Sequence, residues 1–335
     1  MTRRGLLLFA LLGVAWGIPY LLIKVAVAQL DPAMLVLART AIAAVVLLPF
    51  AVVRGEIMPV LRRWRPMLAF TLVELVVPQF LLGSAEERLP SSTTGLLVAA
   101  VPLAGVGVAF ALGRPERLAP LNWLGIALGM GGVAALVGFT VAGSDLGSVG
   151  KVLIVVVGYA LGPAIIAKWM PDLPGTGVTP VAFVFTAVVY APVVAVTHSW
   201  PAAWPSASVL TSVVLLGVVC SAAAFSIMVA LVGEIGPVRA TTVTYVNPAV
   251  ALIAGAVVLG ERVTGWSVVG FGLILAGCYL TAVRHPARDP GDRAAETGDL
   301  VAGTGGRAAE TGERAAETGG LVAPVAEAGA LAERG

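Results

Sequence analysis

Charged residues are scarce in this chain of 335 residues. Asp, Glu, Lys and Arg make up 12% of it, against about 25% in soluble domains, and hydrophobic residues make up 58%. The mean hydropathy of +0.95 excludes an ordinary soluble domain and predicts an all-α protein that lies in the lipid bilayer. The net charge is only +2, and no basic stripe of the kind that binds nucleic acid is present, so we expect no nucleic-acid partner.

Cysteine and histidine are almost absent. Cys220 and Cys278 both fall in apolar segments, where isolated thiols are expected to be packing residues rather than a disulfide or a metal site. His198 and His285 lie at the ends of apolar segments. We therefore predict no metal site and no cofactor.

The chain also lacks the motifs of enzymes and pumps that work in membranes. It contains neither H-E-x-x-H nor the phosphate-binding loop G-x-x-x-x-G-K-[ST], and no Asp falls in the core of an apolar segment. We predict that the protein is not an enzyme. An intramembrane enzyme and a non-transporting membrane sensor or assembly protein are the alternatives to a transporter.

Long apolar segments are what the chain does contain. A helix needs about 17–25 mostly apolar residues to cross ~30 Å of hydrocarbon. Ten segments qualify, at 6–28, 33–53, 66–84, 91–112, 120–139, 149–168, 179–197, 208–232, 238–259 and 264–283. The first is longer than the core of a signal peptide and contains Trp16 and Pro19, so we expect it to be retained as a helix.

Basic residues divide unequally between the two sides of the predicted membrane. If the N-terminus is cytoplasmic, 12 Lys and Arg residues lie inside and 3 outside, namely Arg88, Lys151 and Arg262. Cytoplasmic loops are enriched in Lys and Arg, so both termini are predicted to be cytoplasmic. Lys24 lies near the outer end of the first segment and is expected to extend its ammonium group to the interface.

One pattern occurs twice, once in each hydrophobic half. In the first half it consists of Pro102, Glu116, Gly125 and Gly132, and its second copy consists of Pro248, Glu261, Gly270 and Gly277. The pattern predicts a duplicated membrane unit, with five helices in 1–139 and five in 140–283. Because five is odd, the second copy is predicted to be inverted in the membrane, as in many transporters with a central site between the repeats.

The C-terminal segment 284–335 has a different composition. Arg-Ala-Ala-Glu-Thr-Gly occurs in it three times, at 293–298, 307–312 and 314–319. A segment so rich in Gly, Ala and Glu cannot bury enough apolar surface to offset the entropy of ordering. We predict a disordered cytoplasmic tail.

Glu74 is the most unusual residue of the predicted spans because a carboxylate near the bilayer midplane is costly. It is a candidate proton-coupling group or a ligand for a substrate amine. The alternatives are structural: a pair with Arg39, or a neutral carboxyl bonded to a neighbouring helix. Arg39 in turn is expected to pair with Glu74, to bind a substrate carboxylate, or to donate hydrogen bonds to backbone carbonyls between helices.

Prolines and polar or aromatic residues at similar depth suggest a central pocket. Proline removes a backbone donor, so we expect helix breaks or gating positions at Pro19, Pro102, Pro163 and Pro248. The candidate substrate-binding residues near these positions are Trp16, Tyr20, Gln79, Thr242, Tyr245 and Asn247. Their alternative role is packing, because such side chains commonly bond across membrane helices.

Glu116 and Glu261 lie in short loops after central spans, on opposite faces of the predicted membrane. They cannot share a site. We expect each of them to cap the next helix or to pair with loop arginines.

The duplicated pattern, Trp16-Gly17 in the first span and Arg39 in the second identify a resemblance to the EamA family of the drug/metabolite transporter superfamily. The resemblance covers residues 5–283. A stretch that includes Glu74, Gln79, Glu86 and Pro102 is similar to a bacterial subgroup of that family. The chain departs from the family pattern in the inserted Arg114-Pro115 and in the repetitive tail.

The resemblance implies a ten-helix carrier of the bacterial inner membrane that exports metabolites, amino acids or toxic compounds by secondary transport or exchange. It also implies that the third, fourth, eighth and ninth helices surround a central cavity. Carried to this chain, the candidate site residues become Glu74, Gln79, Thr93, Thr94, Tyr245 and Asn247. The expected partners are a small-molecule substrate and the lipid bilayer, with proton coupling through Glu74 and the oligomeric state left open.

Overall fold

The apolar segments form helices. The computed structural model describes residues 2–111, 120–140, 145–235 and 240–282, and all regular structure in these ranges is helical. Seven helices in these ranges are long and apolar enough to cross a membrane, and three shorter apolar helices accompany them, Pro120–Ala135, Val243–Leu259 and Gly265–Leu280. The prediction of an all-α membrane protein is confirmed. The predicted tail, 284–335, lies outside the described residues.

Ten helices, labelled here in chain order, correspond to the predicted spans. They are α1 Arg3–Ala26, α2 Pro32–Val53, α3 Trp64–Glu86, α4 Ser91–Ala111, α5 Pro120–Thr140, α6 Leu146–Trp169, α7 Gly175–Thr197, α8 Ala207–Ile235, α9 Asn247–Leu259 and α10 Gly265–Ala282. A short helix, Ile57–Arg62, lies between α2 and α3.

The exterior of the bundle suits a lipid environment. Exposed apolar side chains occur along the middle of several helices, for example Val45 at 73% and Val188 at 63% exposure. Exposed tryptophans cluster instead at helix ends and loops, where membrane proteins place them at the headgroup level. These are Trp64, Trp123, Trp169, Trp200, Trp204 and Trp266.

Three of the four candidate prolines coincide with interruptions of a helix. The α1 helix is interrupted at Ile18, just before Pro19, and α4 is interrupted at residues 99–100, just before Pro102. Pro248 lies in the first turn of α9, after a 3-10 turn at Thr241–Tyr245. By contrast, α6 runs without a break through Pro163, so the break expected there is not present. A continuous helix tolerates proline where packing against neighbours compensates for the lost bond.

Two helices contain a π-helical turn, which is wider than an α-helical turn and which the sequence patterns do not predict. Residues Leu72–Val76 of α3 and Val218–Ala223 of α8 are π-helical. In α3 the Val77 N–H donates to the Leu72 carbonyl, and Pro78, next in the chain, has no N–H to continue the α-helical pattern. In α8 the Ser221 hydroxyl donates to the Leu216 carbonyl at 2.8 Å, five residues earlier. Such turns occur often at functional sites.

Glycines allow the helices to approach closely. The four glycines of the duplicated pattern meet between α5 and α10: a Cβ on Gly132 would lie 2.6 Å from the Gly270 carbonyl oxygen, and one on Gly277 would lie 2.5 Å from that of Gly125. Since Gly125 matches Gly270 and Gly132 matches Gly277, the two contacts are equivalent in the two copies. Small residues at such positions stabilise helix pairs in lipid.

Polar contacts distinguish the two ends of the bundle. The end called here the Glu261 end joins Glu261 to Ser91, Lys24 to the carbonyls of Glu86 and Leu89, and Gln29 to Ser206. The opposite end, called the Glu234 end, joins Thr2 and Arg4 to Glu234, and Arg63 to Asp172. The two ends therefore hold separate sets of contacts.

Candidate functional site

A group of polar side chains lies inside the bundle, among α1, α2, α3 and α6. We call it the polar cluster, and it consists of Tyr20, Arg39, Glu74, Glu86 and Tyr159. Tyr20 and Arg39 are each 8% exposed and Glu86 is 0% exposed. Tyr159 of α6 lies within electrostatic range of Glu74, Arg39 and Glu86.

Glu74 lies at the centre of α3, as the eleventh of its 23 residues, within the π-helical turn. It packs against Gly162 of α6, where an added Cβ would overlap the carboxylate. Its Oε2 atom is buried and has no hydrogen-bond partner among the described residues. Its place at the centre of α3 is the one that the sequence indicates, and both candidate roles of Glu74 stay predictions.

Arg39 does not form the ion pair with Glu74 that was one of the alternatives. The ion pairs of the described residues are Arg4–Glu234 and Arg63–Asp172. The Arg39 Nη2 atom instead lies 3.4 Å from the hydroxyl of Ser221, in the π-helical turn of α8. Its Nε atom is buried without a partner in the described part of the chain. A buried guanidinium with an unused donor can bind an acidic group.

Glu86 was not among the candidate site residues, although it is the most enclosed carboxylate of the cluster. Within Glu86-Glu87-Arg88 it resembles part of a charged loop, but α3 extends two residues further than expected and ends at Glu86. Both carboxylate oxygens are buried and lack a hydrogen-bond partner among the described residues. Only a correct helix boundary would have shown that Glu86 lies inside the bundle, and sequence patterns define helix boundaries poorly.

Lys24 lies near the Glu261 end of the bundle, and its extension to the membrane interface stays a prediction. Its ammonium donates to the backbone carbonyl oxygens of Glu86 at 2.5 Å and Leu89 at 2.9 Å. These carbonyls belong to the C-terminal end of α3, where a positive charge is favourable because the helix dipole is negative there. Lys24 therefore links α1 to the turn between α3 and α4.

Glu261 caps α4, whereas we expected it to cap the next helix, α10, or to pair with a loop arginine. Its Oε1 accepts from the Ser91 N–H at 2.7 Å and the Ser91 hydroxyl at 2.9 Å, and its Oε2 accepts from the Ser92 N–H at 2.9 Å. The prediction of a cap was right in kind but wrong in its helix, because packing of α9 on α4 brings the loop to Ser91. Gly255 permits the approach, since a Cβ there would lie 2.5 Å from Glu261 Oε2. Glu116 lies outside the described residues.

The pKa of Glu261 reflects this cap. Burial alone would raise the pKa, but hydrogen bonds from Ser92 and Ser91 outweigh burial and hold the pKa of Glu261 below its usual range. The ionised form is therefore the one that the contact stabilises.

The remaining candidates divide between the interior and the helix contacts. Gln79 and Asn247 each have a buried side-chain oxygen without a hydrogen-bond partner among the described residues. Thr93 and Thr94 are buried, and the Thr94 hydroxyl donates to the Pro90 carbonyl of its own helix. Tyr245 donates to the Cys278 carbonyl at 3.4 Å, which directs it toward α10.

The aromatic candidates on α1 contact different neighbours. Trp16 packs edge-on against Phe225 of α8, with ring centroids 5.8 Å apart. Tyr20 lies against Gly95 of α4, where an added Cβ would be 3.2 Å from its ring. Thr242 lies in the 3-10 turn before α9, and its side chain is outside what the structure describes.

A shallow groove lies between α4 and α6, in the half of the bundle nearer the Glu234 end. Its lining is small and apolar apart from one ammonium group: Gly105, Val108, Ala109, Ala160, Ala164, Ala167 and Lys168. Lys168 also places its Nζ 4.9 Å from the Trp169 ring centroid. In the described ranges no group of three His, Cys, Asp or Glu residues could hold a metal ion.

The EamA-like transporter family model matches this chain twice, at residues 3–138 and 148–283. Relatives include the uncharacterized inner membrane transporter YedA from three Escherichia coli strains, K12, O6:H1 and O157:H7. Each is 29% identical over 286 residues, which cover 82% of this chain and 89% of the relative.

A solved crystal structure shares the fold, with a TM-score of 0.59 and 21% sequence identity over 84% of this chain and 98% of that one. Together with the apolar helices, the family match supports a multi-pass transporter of the bacterial inner membrane rather than an enzyme. The resemblance drawn from the sequence is confirmed: the chain belongs to the EamA-like transporter family of the drug/metabolite transporter superfamily.

Proposed function

We propose that this protein is a secondary transporter that moves a small metabolite outward across the inner membrane by alternating access. The observation that carries the proposal is the polar cluster, in which Arg39, Glu74 and Glu86 keep unpartnered polar atoms inside a membrane bundle. Such groups are costly in a bilayer and are retained where they bind a substrate or an ion. A purely structural cluster would satisfy these atoms with one another.

Two inverted five-helix repeats, residues 1–139 and 140–283, provide the framework for this mechanism. The paired contacts Gly132–Gly270 and Gly277–Gly125 support a two-fold relation between the repeats. The π-helical turns support it too, since they occur in α3 and α8, the third helix of each repeat. Inverted repeats create two opposite entrances to one central site.

The positive-inside rule orients the bundle. It assigns both termini and the Glu234 end to the cytoplasm, and the Glu261 end to the outside. The contacts of Lys24 and Glu261 then close the outer side, while the groove between α4 and α6 faces the cytoplasm. Contacts that close the outer side are what a conformation that accepts substrate from inside requires.

The substrate class follows from the charges around the site. Arg39 can bind an acidic group, and Glu74 can bind an amine or exchange a proton with it. Aromatic and amide side chains complete a lining for an amphipathic molecule of the size of an amino acid or a drug-like compound. The proposed lining consists of Trp16, Tyr20, Glu74, Gln79, Thr93, Thr94, Thr242, Tyr245 and Asn247, with gating positions at Pro19, Pro102 and Pro248.

Ligand-induced stabilisation of the purified protein tests binding first, with amino acids, nucleobases, sugars and cationic drugs as the probes. A ligand at about 100 times its Kd stabilises the folded state by about 2.7 kcal/mol, which raises the melting temperature. We expect a shift with one chemical class, and none with Arg39→Gln. No shift with any class would contradict the proposal.

Flux into proteoliposomes then tests transport and the role of Glu74. We expect Glu74→Gln to abolish the pH dependence of flux while leaving expression unchanged. Glu87→Gln is the matched control, because Glu87 is exposed on the same stretch of chain. If flux and its pH dependence survive in Glu74→Gln, Glu74 is structural, and binding without any flux would favour a sensor.

A further inference from the structure

Glu86 is a second buried carboxylate, separate from the candidate at Glu74. Its exposure is 0%, and neither carboxylate oxygen has a hydrogen-bond partner among the described residues. An isolated carboxylate anion in such a place would cost many kcal/mol, so a positive charge must neutralise it. The surrounding residues indicate which positive charge this is.

The charged and titratable groups around Glu86 come from every neighbouring element. They are Tyr20 and Lys24 of α1, Arg39 of α2, Tyr159 of α6 and Glu261 after α9. Lys24 brings a positive charge close to Glu86, yet its hydrogen bonds go to the carbonyls of Glu86 and Leu89 rather than to the carboxylate. Arg39 is directed toward Ser221.

A metal cation does not suit this position. Hard cations such as Ca²⁺ take about six or more oxygen ligands. The two carbonyl oxygens nearest the carboxylate already accept hydrogen bonds from Lys24. A proton needs only one carboxylate oxygen, and it removes the charge completely.

We propose that Glu86 is a proton-binding site whose deprotonation draws Lys24 away from the Leu89 carbonyl, in the turn after α3, and so loosens the Glu261 end. The proposal rests on the proposed function only for the use of that loosening in transport. The proton passes from the carboxyl group of Glu86 to a water molecule at the Glu261 end, and Lys24 keeps all three of its ammonium protons. The new carboxylate then replaces the Leu89 carbonyl as a partner of Lys24.

The consequence of this exchange follows from the contacts. A charge pair in a low-dielectric interior is stronger than a charge–carbonyl bond, so an ionised Glu86 competes successfully for Lys24. Lys24 then holds α1 to the last residue of α3 but no longer to the Leu89 carbonyl, so the turn between α3 and α4 loses its own link to α1. Ser91, which begins α4, then separates more easily from Glu261.

Glu261 itself does not supply this pH response. Its pKa is held below the usual range by the hydrogen bonds of Ser92 and Ser91, against the effect of burial, so it stays ionised at neutral pH. A response near neutral pH at this end must therefore come from another group, and Glu86 is the enclosed one.

Infrared difference spectroscopy of the purified protein across a pH titration tests the proton site. We expect the wild type to show the C=O stretch of a protonated carboxyl that disappears as pH rises. Glu86→Gln removes that component, whereas Glu87→Gln, the exposed neighbour, retains it. A spectrum in which Glu86→Gln changes nothing would overturn the proposal.

Cysteine labelling tests the link to opening. Leu89→Cys, in a background with Cys220→Ala and Cys278→Ala, places a thiol at a site that is 1% exposed in this conformation. We expect its labelling by a membrane-impermeant maleimide, relative to free cysteine at each pH, to rise about fivefold or more with pH, the range of typical coupling between sites. A rate that stays flat with pH would refute the exchange of Lys24.

Lys24→Met keeps the test usable if Glu86→Gln does not fold. This variant should label rapidly at every pH, because the link that deprotonation breaks is already missing. Slow labelling that still depends on pH in Lys24→Met would contradict the proposal. Neither measurement uses a substrate, so failure here leaves the transport proposal standing, and absence of ligand binding leaves the proton site standing.

Discussion

Lys24 and Lys168 occupy matching positions in the two halves but make different contacts. Each follows a proline by five residues, Pro19 in α1 and Pro163 in α6. Lys24 binds the carbonyls at the end of α3, whereas Lys168 lines the groove beside α4 and lies over Trp169. Similar sequences with different contacts are what a transporter with one end closed and the other open should contain.

The comparison shows that a few charged contacts to helix ends join the helices at the Glu261 end. Lys24 lies at the negative end of α3 and Glu261 at the positive end of α4, so each charge also complements a helix dipole. The Glu234 end has an ion pair between Arg4 and Glu234 at 3.8 Å, in which the Arg4 side chain is 75% exposed. Exposed pairs of that kind contribute little.

The largest effect is expected from Lys24→Met. It removes two hydrogen bonds from a charged donor, each of about 1.5–3 kcal/mol. Accessibility of Leu89→Cys to the maleimide should rise about tenfold or more, since about 1.4 kcal/mol corresponds to a factor of ten. The control is Lys151→Met of α6, which loses a hydrogen bond to the Ser84 hydroxyl of α3, the helix that Lys24 also contacts. Equal effects of the two variants would contradict the special role of Lys24.

Glu261→Gln should have the next largest effect. The amide keeps the shape of the side chain but loses the charge at the start of α4, and a lost helix cap costs about 1 kcal/mol. We expect roughly a fivefold increase in the labelling of Leu89→Cys. Arg262→Gln, on the exposed neighbour, should leave the rate unchanged. An unaltered rate in Glu261→Gln would remove this contact from the closure.

The pH dependence of the Glu261 contact gives a smaller and directional test. Because its folded pKa is lowered, its contribution is present above the ordinary pKa of glutamate and is lost as pH falls through the lowered value. The melting temperatures of the wild type and Glu261→Gln should therefore differ by a constant amount from about pH 6 to 8 and converge as pH falls through the lowered pKa. A difference that vanishes near neutral pH would contradict the assignment.

Lys168→Met is expected to have the smallest effect on the Glu261 end. In this conformation Lys168 lies over Trp169, a contact of about 0.5–1 kcal/mol when exposed. Labelling of Leu89→Cys should change less than twofold, with any change toward slower labelling. A rise as large as that in Lys24→Met would break the comparison between the two lysines.

Much of the fold follows from the sequence for a simple physical reason. Bilayer thickness fixes helix length, and the breaks before Pro19 and Pro102 follow from the missing N–H of proline. Pro163 escapes the same rule because the rest of α6 is packed on both sides by α3 and α4. The sequence does not predict the π-helical turns either, since they depend on small differences in hydrogen bonding.

The candidate site was less accessible to prediction. Glu74 could be found because a carboxylate in an apolar segment stands out, whereas Glu86 lies beside two other charges at a helix boundary. The cap of Glu261 joins residues 170 positions apart, and no local pattern encodes that contact. Long-range packing determines which helix end a loop charge meets.

Spin-label distances at both ends test alternating access most directly. One pair, at Glu87 and Arg262, spans the contact at the Glu261 end, and a second, at Ala111 and Trp169, spans the groove between α4 and α6. We predict that Lys24→Met lengthens the first distance and shortens the second, and that a bound substrate shifts both populations in opposite directions. Distances that change together, or an end that never changes, would contradict transport by alternating access.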